Sequence, residues 1–464
     1  MAYWQEHSLG IAPQSAFGTP NATTGTDQTG FRWLQGDRPK LQLQTEKVEL
    51  DLMTGAVGAA PERLYGRRHG SISFSMPLEG FNAAYTADPT HANSQPGTGS
   101  SAVVPHWMAL LANALGSKIG TLTDAQFWLA THCYNTLYDA TAVAGAADVS
   151  HITLDDNGAY GNAPAGALVA TALAASPSLV QFGFVKTKVA SGGPPVNTWT
   201  LTLLDPAVRK VDDASANMYA TSTAWLSALQ GSQLPLTMLY VGDQTEAAYI
   251  LQDCVCTGFK ITWESGAVPT IEFSYNFYEW TADKTRGGLH VPLVHHRVPQ
   301  IVGVNSGQVC LDGVVTGGLQ SCTVEYKTEI AELKAHHATQ GISGVVFKKP
   351  RINVSVSLPW ISTDPVYSPA GASVNAGSHK WQSKMELGTR VQLGVYVGPS
   401  LGRIFAFAIP SALVVDNQVA DLDGAFGYQL SLEAGSYTGD STDEDPAPTP
   451  TTSPLDSLFR VSLA

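Results

Sequence analysis

The side chains able to carry chemistry are few and poorly spaced for it. Cys254-Val255-Cys256 is a C-x-C, and no second pair lies at zinc-ligand spacing. On a strand these two thiols share one face, which suits apolar packing. His295-His296 and His336-His337 are adjacent pairs that would point to opposite faces of a strand, and neither belongs to an H-E-x-x-H. Asp155-Asp156-Asn157-Gly158 and Asp421-Leu422-Asp423-Gly424 have the composition of calcium loops. Placing either glycine sixth puts Thr153 or Val419 first and Pro164 or Leu430 twelfth, so both read as turns. No phosphate loop, dinucleotide fingerprint or nucleophile elbow occurs. A carboxylate pair for glycoside hydrolysis has no fixed spacing, so a carbohydrate-active β-sandwich enzyme remains an alternative at this point. No catalytic residue, metal or cofactor is expected.

The remaining chemistry is charge. Glu46, Glu49, Asp51 and Glu62 line one long hairpin, and Glu325, Glu329 and Glu332 line another. They read as solvated strand faces or as a surface that uses negative charge. Arg63, Arg67 and Arg68 form a basic cluster in the first hairpin, and Lys348, Lys349 and Arg351 form one in the second. Pairing with the acidic face of another subunit suits these clusters better than nucleic acid does, because aromatic interleaving is thin. The whole chain carries a net charge of −13, the opposite of a nucleic-acid binder. Only 14% of residues are charged and 44% are hydrophobic, a balance that excludes disorder. With 44 Gly and 27 Pro, the composition favours strands and turns over helices.

The N-terminus lacks the basic and apolar regions of a signal peptide, and no apolar run is long enough to span a membrane. Five scattered cysteines are not a disulfide framework. The expectation is synthesis in a reducing cytoplasm.

Strict alternation supplies the elements that must position these groups. Ile72, Phe74, Met76 and Leu78 alternate with polar residues, as do Ile271, Phe273, Tyr275 and Phe277. Ile352, Val354, Val356 and Leu358 do the same, and so do Phe426, Tyr428, Leu430 and Leu432. These strands recur in matched order. Segment 71–78 corresponds to 351–358, 41–52 to 319–330, 239–242 to 395–398, and 271–277 to 426–432. The chain therefore reads as mainly β, with two fused β-sandwich repeats.

The first repeat spans 31–300 and the second 301–437. An insertion of mixed character at about 82–225 distinguishes the first. It holds a helix from Pro105 to Leu115 stopped by Gly116, and a hairpin around Gly192-Gly193-Pro194-Pro195. No comparable helix is expected in the second repeat. Residues 1–30 read as an extended arm. Residues 438–464 read as an acidic Pro-rich linker ending in a strand-like tail, which either packs on its own domain or adds to a neighbour's sheet.

The duplicated pattern resembles the tail tube proteins of long-tailed, siphovirus-like bacteriophages. The opening Gly10-Ile11-Ala12-Pro13-Gln14-Ser15-Ala16-Phe17-Gly18-Thr19-Pro20 is similar to that of several members. The long hairpin at 40–80, the helix from His106 to Leu115 and the strands around Tyr240-Val241-Gly242 and 271–277 complete the likeness. The resemblance implies a β-sandwich with a flanking helix, and rings whose inner sheets join into a barrel around a DNA-sized lumen. Two copies per chain imply trimeric, pseudo-hexameric rings stacked into a tube, the conduit for DNA ejection. It further implies a virion protein made in the host bacterial cytoplasm. Its implied partners are itself, a tape measure protein inside the tube, tail terminator and distal tail proteins at the ends, and phage DNA in transit without specific binding. No membrane is involved.

On this reading Glu46, Glu49, Asp51, Glu325, Glu329 and Glu332 are candidate lumen-facing acids. Loops 53–68 and 331–348 are candidate ring-stacking loops, with Arg63, Tyr65, Arg67, Arg68, Phe347 and Lys348 as contacts. A tail-tip ring protein of the same lineage is the other alternative.

Overall fold

The computed structural model describes residues 8–14, 16–19, 31–34, 36–50, 62–78, 106–116, 132–134, 139–140, 151–156, 166, 168–173, 176–191, 197–205, 216–219, 221–226, 235–243, 247–282, 307–311, 314–315, 319–335, 341–359, 377–398, 403–422, 425–435 and 457–463. These residues are mainly β, in large antiparallel sheets with two short helices. In chain order the strands begin with β1 (Ser8–Pro13), β2 (Arg32–Leu34), β3 (Lys40–Leu50) and β4 (Glu62–Pro77), followed by helix α1 (His106–Leu115). Next come β5 (His132–Tyr134), β6 (Asp139–Ala140), β7 (His151–Asp156), β8 (Leu168–Leu173), β9 (Ser176–Ser191), β10 (Asn197–Leu203), β11 (Ala216–Tyr219) and β12 (Thr221–Trp225). Then follow β13 (Leu236–Asp243), β14 (Ala247–Glu264), β15 (Thr270–Phe277), β16 (Glu279–Ala282), β17 (Gly307–Leu311), β18 (Val314–Val315), β19 (Ser321–Lys334) and β20 (Ile342–Pro359). Helix α2 (Gly377–Leu387) precedes β21 (Arg390–Val397), β22 (Phe405–Leu422), β23 (Ala425–Ala434) and β24 (Arg460–Leu463).

Alternation decides which face of each long strand is buried. On β4, Ile72, Phe74 and Met76 point into the core while Ser71, Ser73 and Ser75 do not. β15 repeats this with Ile271, Phe273 and Tyr275 against Glu272, Ser274 and Asn276. β3 pairs with β4, β4 with β15, β15 with β14, β14 with β13, and β13 with β1. A second set pairs in the same order: β19 with β20, β20 with β23, β23 with β22, β22 with β21, and β21 with β17.

The registers correspond as well as the order. One rung of the first set runs Lys40, Ser73, Ser274, Gly258. Its counterpart runs Thr323, Ser355, Ser431, Asp416. A bulge lies between Cys256 and Gly258 on β14, and one lies at the matching step, between Val414 and Asp416, on β22.

β14 and β22, each of 18 residues, pass from one sheet layer to the other. Their first halves pair with β13 and β21, and their second halves with β15 and β23. β14 turns at Asp253, whose φ of 54° lies in the left-handed region that Asp tolerates better than most residues.

The two sets share a sheet. β14 also pairs with β19, so β3-β4-β15-β14-β19-β20-β23-β22 is continuous. One core cluster joins Leu9, Ile11 and Met238 of the outer layer to Phe74, Phe259 and Tyr275 of this sheet. Trp263 of the first set stands 5.6 Å from Phe405 and 5.5 Å from Phe407 of the second, edge to face.

Several expectations meet the structure here. The helix stopped by Gly116 is α1, with Trp107, Met108 and Leu111 buried and Gly116 at φ 66°. The hairpin around 192–195 is β9–β10. The second set does carry a helix, contrary to expectation. Only Trp381 of α2 is buried among its described side chains, so there is no apolar stripe for periodicity to reveal. α1 and α2 occupy the same step between hairpin and third strand. Among the described residues, what the first set has alone is the six-stranded sheet β6-β11-β8-β9-β10-β7.

That sheet leans on the second set, where Phe182 and Phe184 flank Tyr396 at 6.0 and 5.9 Å. The N-terminal arm contains β1, which pairs with β13 and β2. The C-terminal tail adds to its own chain, as β24 between β22 and β12, with Phe459 buried. The linker at 436–456 lies outside the described residues.

Candidate assembly surface

The eight-stranded sheet buries one face and leaves the other polar. That open face carries Ser71, Ser73, Ser75, Ser274, Thr323, Ser355, Ser431 and Gln429, with a thin mixture of charges. Lys40, Lys260, Lys327 and Arg351 are interleaved with Glu264, Glu272, Glu325, Asp416 and Glu433. A groove of about 630 Å³ runs along the β14–β19 join, lined among others by Lys260, Glu272, Glu325, Glu329 and Arg351. Lys327 Nζ lies 2.7 Å from Glu325 Oε1, an exposed pair whose contribution to stability is small.

The sequence-selected acids separate in space. Glu325 and Glu329 belong to the polar groove. Glu332 points away from it, because on β19 it stands an odd number of residues from Glu325 and Glu329 and so falls on the other face. There it accepts both ends of the Arg67 guanidinium, at 2.9 and 3.1 Å. Glu46 stands 3.6 Å from Arg67 Nε. Arg67 also lies over the Tyr278 ring at 5.8 Å. Burial lowers the guanidinium's pKa, but the hydrogen bond to Glu332 and the charges of Glu332 and Glu46 outweigh it, for a net rise. Glu49 lies on β3 opposite Arg63, with its side chain outside the described residues, and Asp51 lies outside them altogether.

The candidate stacking residues are on strands. β4 begins at Glu62 and β20 at Ile342, so Arg63, Tyr65, Arg67, Arg68, Phe347 and Lys348 are ladder positions. The bulges, which break period two, made these stretches read as loops. Arg68 lies 5.2 Å from the Trp280 ring centroid, over the ring. Phe347 is buried against Val255, Tyr278 and Ile342 of the same chain. Lys348 is exposed, opposite Glu329. The side chains of Arg63 and Tyr65 lie outside the described residues.

Two buried carboxylates escaped the sequence reading. Asp253 accepts Gln14 Nε2 at 2.6 Å and Gly18 N at 2.8 Å, pinning the arm to β14. Burial pushes its pKa up, and those hydrogen bonds oppose the rise. Asp205 accepts Tyr396 Oη at 2.8 Å and Gln392 Nε2 at 2.5 Å, pinning the inserted sheet to β21. Burial raises its pKa to about 6 against those two hydrogen bonds. Their partners lie hundreds of residues away, so no local signal could have found them. Cys254, Cys256, Cys310 and Cys322 are buried free thiols, and burial pushes Cys256 up to about 12. No group of three metal-ligating side chains occurs among the described residues. No helix among them is long and apolar enough to cross a membrane.

A β protein that presents a polar sheet face and strand edges has surfaces by which sheets can be joined to other sheets. A family model described as phage tail tube protein matches residues 4–376, and the chain belongs to that family. No curated protein sequence matches it. It is a structural protein of the phage tail, and its place is the virion.

Proposed function

We propose that the two strand sets are fused tube domains and that three chains form one ring of a tail tube, the rings stacking into the conduit through which DNA is ejected. The observation that carries this is the matched ladder, with the same order, rungs and bulge step in both sets. Family membership supports the tail tube part of this reading. Two domains per chain require three chains where a single-domain tube requires six.

The polar face of the eight-stranded sheet then lines the lumen. Hydroxyls, amides and cations interleaved with acids give passing DNA no uncompensated basic patch to bind, so it slides without being held. Glu325 and Glu329 sit with that face among lysines and an arginine, so the wall is better read as neutral and hydrated than as acidic. The tape measure protein occupies the lumen before DNA does, and terminator and distal tail proteins cap the ends. The far ends of the β3–β4 and β19–β20 hairpins contact adjacent rings. The protein has no catalytic step of its own.

Negative-stain microscopy of the concentrated protein is the test. Tubes or stacked rings are expected. A discrete particle that releases reducing ends from a polysaccharide would favour the β-sandwich enzyme instead, and a single ring that never stacks would favour a tail-tip component.

A further inference from the structure

The join between β14 and β19 has a counterpart that is open at both ends of the sheet. Rung by rung, β22 corresponds to β14 and β3 to β19. From Val414 to Leu422, β22 forms a ladder with β23 on one side and none on the other among the described residues. β3 forms one with β4 alone.

The side chains record the difference. Ile261 and Val324 face each other across the closed join and are both 0% exposed. Val419 stands where Ile261 stands, on the rung of buried Tyr428 and Leu358, and is 66% exposed. Leu41 stands where Val324 stands and is only partly buried, as is its neighbour Leu43. Val415, at the matching bulge, is 56% exposed. An edge that has no ladder among the described residues, with exposed Val415 and Val419 beside it, can receive a strand.

We infer that this edge of β22 receives β3 of a second copy, antiparallel, in the register that β14 and β19 use within the chain. This inference rests on the tube reading and specifies its interface. In the chain, Gly258 faces Lys327, Lys260 faces Glu325, Ile261 faces Val324 and Thr262 faces Thr323. Carried over rung by rung, Asp416 faces Gln44, Gln418 faces Gln42, Val419 faces Leu41 and Ala420 faces Lys40 of the neighbouring copy. On the core side Val419 meets Leu41 and Asn417 meets Leu43, the charged Asp421 comes at the end of the seam opposite Pro39, and no like charges meet. The contact is head to tail, with each copy giving β22 to one neighbour and β3 to the other, so it closes into a ring or grows without limit.

Cysteine pairs read the register directly. The double variant Val419→Cys with Leu41→Cys should give covalent multimers on non-reducing denaturing gels, at least tenfold above either single variant. Leu43→Cys paired with Val419→Cys lies two residues off the rung, beyond easy disulfide reach, and should give far less. Rings that form with the 419–43 pair dominant, or with neither pair linked, would overturn this seam and leave the tube reading standing. Failure of the unaltered protein to assemble at any concentration would overturn both.

A second variant guards against a misfolded one. Val419→Lys should leave the monomer's melting temperature unchanged and cut assembly at least tenfold, whereas Val268→Lys, at an exposed turn, should do neither. Undiminished assembly by Val419→Lys would overturn the seam.

Discussion

Ile261 and Val419 occupy the same position on corresponding strands, share a rung with buried residues on one side, and differ wholly in exposure. Ile261 has β19 beside it, supplied by its own chain, and Val419 has no strand on that side among the described residues. Burial at this position is therefore decided by the neighbouring strand, not by the residue or its own hairpin. An exposed valine on the core side of a sheet marks a missing strand, where the same valine on the solvent side would mark nothing.

The largest expected effect sharpens that contrast. Ile261→Lys puts an unpaired charge into a closed join and should cost about 4 kcal/mol or more, enough to abolish folding. Val419→Lys should stay within about 0.5 kcal/mol of the parent in the isolated chain. Denaturant unfolding of the two variants checks this. Similar losses in both would mean that the β22 edge is covered by the chain itself.

The two sets also differ in what covers their outer layer, and that difference depends on pH. Burial holds Asp205 at about 6, above the ordinary carboxylate value of 3.8. The folded state thus keeps a proton that the unfolded chain has released. This stabilises the fold fully below about pH 4 and is lost as the pH rises through about 6, amounting to on the order of 3 kcal/mol. Stability should fall across that window, and Asp205→Asn should flatten the profile while keeping an acceptor for Tyr396. Melting curves between pH 4 and pH 7 give the answer. A parent profile that rises over the window would place the charged form as the favoured one.

A third contrast lies in the long hairpins. Arg67 of β4 forks onto Glu332 of β19, so the two hairpins are not equivalent: one supplies the cation and the other the acid of the pair that ties them together. Arg67→Ala leaves Glu332 half-buried without its fork and should cost about 2 kcal/mol. Arg67→Lys should recover less than half, because an ammonium cannot bridge both oxygens. Chemical denaturation distinguishes them, and equal stabilities would mean that the pair contributes only surface charge.

What the sequence made legible follows from what is local. Alternation found β4, β15, β20 and β23, because period two needs only a few residues and one buried face. It gave the order of the matched strands but not their register. The match of 71–78 to 351–358 sits two residues from the ladder correspondence, in which Ile72 stands with Val354. A slip of two preserves every face and so leaves no mark on the pattern. The bulges at Lys47 and Glu329 hid the far halves of both hairpins, and α2 was hidden because Trp381 is its one buried anchor among described side chains. Arg67 and Glu332 were both singled out by charge. Their meeting across 265 residues depends on the β14–β19 join, which no local pattern announces.

The rotational symmetry of the assembled ring decides between two fused domains and one. An electron-microscopy reconstruction of the tube should show three chains per ring, with joins of one construction alternating within and between chains and three outward projections from the inserted sheets. Six chains per ring, or joins between copies that do not resemble β14–β19, would contradict the pairing of the two strand sets on which the rest depends.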